Sequence, residues 1–162
     1  APIVASDSSD VAFVVSVVGS AGSAHEALRY EENHNLREMG LLPGLSNLIA
    51  YPSTFVLINI TRKDFWDTVG NFDPIPYWEE VAVNALVLYG QDETNVPSEK
   101  SVARLRSLDK SNSEVKIYER VGHALEGPEG QGSSIFREDA LKDIRDFIYS
   151  SVSRVDTGVP SS

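Results

Sequence analysis

NALVLYGQDETNVPSEK, residues 84–100, carries the reading on which the fold turns. Residues 84–90 form a short apolar run that stops at Gly90. A run of that length and uniformity suits a strand buried on both faces of a parallel sheet. Two adjacent carboxylates, Asp92 and Glu93, follow at once. Pro97 and Ser98 then open a charged stretch in which Val102, Leu105 and Leu108 fall at helical spacing.

The same rhythm recurs on both sides. VAFVVSVV, 11–18, is a β-branched run ending before Gly19, and SEVKIYERVG, 113–122, places Val115 and Ile117 on one face of a strand. Strands are therefore expected at 11–18, 84–90 and 113–119. Helices are expected over SEKSVARLRSL, 98–108, and over REDALKDIRDFIYSSV, 137–152, where Leu141, Ile144 and Ile148 form an apolar stripe. Strand, helix, strand, helix at short spacing predicts an α/β fold with right-handed crossovers on a parallel sheet.

The interval 23–83 is too long for a plain crossover and reads as a mainly helical cap over one edge of the sheet, with the core in 1–22 and 84–150. HEALRYEENHNLREMG, 25–40, predicts one helix closed by Gly40. LSNLIA, 45–50, and FVLINITRKDFW, 55–66, fit helix or strand, and NFDPIPYW, 71–78, is expected to be irregular because of its two prolines. The Ser-rich end, 151–162, reads as a frayed tail.

Composition narrows the function. The chain has 162 residues and a net charge of −10, which suits one domain or a large piece of one and argues against binding nucleic acid through phosphates. No window holds the roughly 18 uninterrupted apolar residues of a membrane span, so no membrane partner is expected. There is no cysteine, which excludes disulfides and thiolate chemistry and leaves the compartment open. The first residue is Ala with no leader before it, and the chain is expected to start within a longer protein.

Sites on open parallel sheets gather at the carboxyl ends of the strands. Asp92 and Glu93 stand there after one strand, and His123 stands there after the next, in RVGHALEGPEG, 120–130. A carboxylate on one nitrogen of an imidazole fixes its tautomer, so that the other nitrogen can take a proton from a serine. No G-x-S-x-G is present. VGSAG, 18–22, and GLSNL, 44–48, each lack one of the two glycines that the strained nucleophile turn requires, so neither Ser20 nor Ser46 qualifies. His25 and His34 lie beside Glu26, Glu31 and Glu32 without the spacing of a metal helix, and read as a polar helix face. Tyr51, Phe55, Phe65, Trp66, Tyr77 and Trp78 read as packing residues for the cap, with an acyl pocket as the other use.

NALVLYGQDETNVPSEKSVARLRSL with VKIYERVGHALEGPEG resembles the last third of a serine α/β-hydrolase, of the bacterial esterase and prolyl-oligopeptidase-like type. FDPIPYWEEVAVNALVLYG is similar to that family's approach from cap to seventh strand, with Asn84 in place of a common proline, and APIVASDSSDVAFVVSVVG is similar to the helix after the nucleophile elbow and the sixth strand. The resemblance covers most of residues 1–150 and implies that the nucleophile lies upstream. It implies His123 as general base and Glu93, where the family has Asp, as its acid, with Asp92 as the substitute. It also implies hydrolysis of an ester, or of a peptide bond, through an acyl-serine, with no cofactor and with a small ester or peptide as substrate. On this reading the chain alone is inactive. The alternative from another class is a non-catalytic α/β module in which the acid loop caps the following helix. Oligomeric state and compartment are not specified by these residues.

Overall fold

At the centre of the computed structural model lies the run that opened the sequence, now strand β2, Asn84–Gly90. The structure describes residues 1–61, 63–126 and 136–157, with side chains to Ser153. β2 is flanked by β1, Phe13–Val17, and β3, Ser113–Tyr118, in a parallel sheet of order β1-β2-β3. The register sets Phe13 against Asn84 and Val17 against Leu88 on one side, and Ala85 against Ser113 and Gly90 against Tyr118 on the other. Leu86, Val87, Leu88 and Tyr89 have no exposed surface, as a central strand covered on both faces requires.

Helices supply that cover. In chain order they are α1, Pro2–Asp7; α2, Ala24–Glu38; α3, Pro43–Val56; α4, Lys63–Val69; α5, Ile75–Glu80; α6, Ser98–Arg106; and α7, Glu138–Thr157. α1, α5 and α6 touch in a row, with α1 on β1 and α6 on β2 and β3. α7 covers the other face, where Phe147 meets Phe13 edge on with ring centroids 6.0 Å apart. The strands and helices of the expected α/β core therefore occur within a few residues of their expected bounds.

The interval between β1 and β2 is helical. α2 begins at Ser23, whose hydroxyl accepts from the Glu26 amide, and closes through Gly40, at φ +92°. The two ambiguous segments are also helical, as α3, a π-helical turn at Leu57–Thr61, and α4. Apolar residues alone could not decide this. Pro43 in the first turn and the Ser46 and Thr54 hydroxyls bonded back to the Pro43 and Ala50 carbonyls fit a helix and not a ladder.

Three expectations need correction. NFDPIPYW is irregular only as far as Pro74: α5 starts at Ile75, with Pro74 at its N-cap position and Pro76 in its first turn, where a missing N–H costs nothing, and Asp73 accepts from the Ile75 amide. The tail is helical as far as Thr157, and its serines bond back into α7, Ser150 to the Phe147 carbonyl and Ser153 to that of Tyr149. Of the aromatics read as packing, Trp78 is buried in the core, whereas Tyr51, Phe55 and Phe65 are exposed. α3 instead buries its small residues, Ser46, Ala50 and Thr54, and turns Leu45, Leu48, Tyr51 and Phe55 outward. The end of the family-like stretch, after Glu126, and the last residues of the expected tail lie outside the described residues.

Candidate active site

Gly90 decides how closely the two loops above the sheet approach. A Cβ there would come within 2.2 Å of the Val121 carbonyl oxygen and 2.4 Å of that of Gly122, so only glycine lets the end of β2 lie against the chain just before His123. Main-chain bonds then lace the loops together: the Gln91 amide donates to the Tyr118 carbonyl and the Asp92 amide to the Val121 carbonyl, both at 2.9 Å.

Past this seam the chain turns Glu93 inward and leaves Asp92 exposed. The Glu93 side chain is fully buried. A buried carboxylate needs partners for its charge. Oε1 accepts from the amides of Asn95, at 2.6 Å, and Val96, at 3.2 Å, which closes the acid loop on itself. Both oxygens also lie against Nδ1 of His123, Oε1 at 2.9 Å and Oε2 at 2.8 Å. An ionised carboxylate only accepts, so beside it the neutral form of the imidazole has its proton on Nδ1 and its lone pair on Nε2. The imidazole as a whole is 53% exposed.

The acid loop has a third support. The Tyr30 hydroxyl, on α2, donates to the main-chain carbonyl of Glu93 at 3.0 Å. Burial, aided by the charges of Glu93 and Glu99, raises the Tyr30 phenol above its usual range and keeps it a donor. α2 is itself tied down one turn earlier, where Glu26 receives Lys100 and, at 2.7 Å, Arg104 from α6. Sequence reasoning missed Tyr30. It lies far from the acid in the chain, and no local pattern marks it.

The remaining sequence candidates have other partners. Glu93 caps its own loop rather than α6, whose N-cap, Pro97, has no side-chain cap bond. Ser20 bonds within its own turn, to the Gly22 carbonyl, and Ser46 is buried in α3 with its hydroxyl on Asn33 and the Pro43 carbonyl. His25 pairs through Nδ1 with Asn71, and His34 lies 4.0 Å from Glu38. Among the described residues no three acidic or histidine side chains cluster as metal ligands, and no helix is long and apolar enough to cross a membrane.

Residues 1–130 match the family described as the C-terminal part of BAAT / acyl-CoA thioester hydrolase, a span that includes all three strands and both loops of the site. The chain belongs to that family. Its fold is the C-terminal part of an α/β-hydrolase. No curated protein matches the chain in sequence. Solved structures similar to this family member include one named as a dienelactone hydrolase from Klebsiella pneumoniae, 17% identical over 54% of this chain and 36% of that one, with a TM-score of 0.40. Another is an esterase from Pyrococcus furiosus, 10% identical over 94% of this chain and 48% of that one, with a TM-score of 0.48. The chain thus spans half or less of the length of these structures.

Proposed function

We propose that this chain carries the acid and the base of a serine hydrolase that cleaves carboxylic esters or thioesters through an acyl-serine, and that the serine comes from a part of the protein outside residues 1–162. The observation that supports it is the contact of His123 Nδ1 with both carboxylate oxygens of a buried Glu93. In this reading Nε2 takes the proton of the serine hydroxyl as its oxygen attacks the acyl carbon, and Glu93 stabilises the imidazolium that results. The imidazolium then gives that proton to the departing alcohol or thiol. A water molecule attacks the acyl-serine in the second half, and His123 again takes and returns the proton. Nothing in these steps calls for a cofactor.

The family is named for acyl-CoA thioester hydrolysis, and the same pair serves a thioester as well as an oxygen ester. Helices α2 to α4 act as the cap that shapes the acyl side. The 162 residues alone should turn over neither substrate class.

The test is turnover of an aryl ester and of a short acyl thioester by the complete protein. His123→Ala should lower kcat by about 10³-fold or more with binding little altered. Full activity in that variant would leave the non-catalytic module as the better reading.

A further inference from the structure

We propose that Tyr30 is a positioning residue for the acid: by donating to the Glu93 main-chain carbonyl from helix α2, it fixes the peptide that aims the Glu93 carboxylate at His123. This rests on the reading of Glu93 and His123 as acid and base.

The main-chain bonds that tie the acid loop to β3 and the chain just after it lie at its start, at the amides of Gln91 and Asp92. Beyond them it turns so that the Glu93 carboxylate accepts from the Asn95 and Val96 amides. Those two bonds and the contact with Nδ1 share one carboxylate, so they depend on the orientation of the peptide that joins residues 93 and 94. Its carbonyl receives the phenol of Tyr30. Without that donor the peptide is free to turn toward water, the loop's internal bonds lengthen, and the carboxylate moves off the imidazole.

The helix that delivers the phenol is well placed to act this way. Glu26 and Tyr30 are four residues apart and share a face of α2. Glu26 ties that face to Lys100 and Arg104 of α6, the helix that follows the acid loop. α2 therefore bridges the acid and the element behind it. A displacement of α2 by a bound acyl group would reach the acid directly, through one hydrogen bond.

The experiment uses the complete ¹⁵N-labelled protein and reads the His123 tautomer from long-range proton–nitrogen correlations at a pH where the ring is neutral. The wild type should show the proton mainly on Nδ1. Tyr30→Phe should raise the share on Nε2 about three- to tenfold, the worth of one hydrogen bond, while circular dichroism shows the helices intact. Glu26→Gln, which loosens the same helix at its other tie but leaves the phenol in the chain, should shift the ratio less than Tyr30→Phe does. A Tyr30→Phe ratio equal to wild type overturns the inference, and so does an equal shift in Glu26→Gln, which would make the effect one of helix docking. Glu93→Gln separates the two levels. If it leaves the imidazole signals unchanged, the pairing itself is wrong and both readings fall. If it changes them while Tyr30→Phe does not, only the role of Tyr30 falls.

Discussion

Glu93 performs two tasks with one carboxylate, closing its own loop on two amides and holding the His123 tautomer. One side chain reaches both the amides of its own loop and the imidazole on the next. Replacing it by Gln keeps the size and removes the charge. The complete enzyme should then lose about 10²- to 10⁴-fold in kcat, the scale seen when an imidazole loses its orienting carboxylate; a loss under about threefold would count against the pairing. Gly90 is the second residue on which the site depends. In Gly90→Ala the new Cβ must push against the carbonyls of Val121 and Gly122, so the loop that bears His123 has to retreat. The expected loss is about 1–3 kcal/mol in a denaturant melt, with the imidazole proton no longer held on Nδ1. An unchanged melt and an unchanged imidazole signal would show that the loops have slack.

Among the elements, β2 dominates the energetics. Leu88 is fully buried between helices on both faces, so Leu88→Ala should cost about 2–5 kcal/mol, measured by denaturant unfolding. α2 is held electrostatically as well as by contact. Burial raises the Glu26 carboxyl, but the hydrogen bonds from Lys100 and Arg104 outweigh it, and the net displacement is downward from the ordinary 4.5. A carboxyl lowered by folding contributes stability that is present above its unfolded value and lost as pH falls through the folded one. Amide protection along α2 should therefore fall on acidification below about 4.5, modestly because both partners are partly exposed. Glu26→Gln should remove that dependence, and a variant with the same pH profile as wild type would refute it.

Elements differ in how far the chain discloses them. The strands could be read because β2 and its neighbours are short apolar runs that stop at glycines or turn polar, and the loops bearing Glu93 and His123 follow from parallel topology alone. α3 and α4 could not be read, because a helix that buries Ser46, Ala50 and Thr54 and exposes Leu48 and Phe55 reverses the usual apolar pattern. α5 was masked by prolines that are harmless in a first turn. Tyr30 was hidden because its partner is a main-chain atom on a distant loop.

Within residues 1–162, the two edges of the sheet differ. β3 carries Glu114 and Lys116, which pair with each other, and Lys116 also pairs with Asp143. β1, FVVSV, carries no charge, and such an edge invites pairing with another strand. The isolated chain should therefore associate as its concentration rises, despite a net charge of −10, and Val17→Lys on the exposed end of β1 should reduce this in sedimentation. A chain that stays monomeric at every concentration would contradict it. The central claim concerns the whole molecule: Glu93 and His123 serve a nucleophile that the rest of the protein supplies. Its most direct measurement is labelling of the complete protein by a fluorophosphonate probe in parallel His123→Ala, Glu93→Gln and Asp92→Asn variants. The account predicts that the first variant abolishes labelling, the second slows it at least about tenfold, and the third labels like wild type; labelling that persists in His123→Ala, or that fails in Asp92→Asn and not in Glu93→Gln, would contradict it.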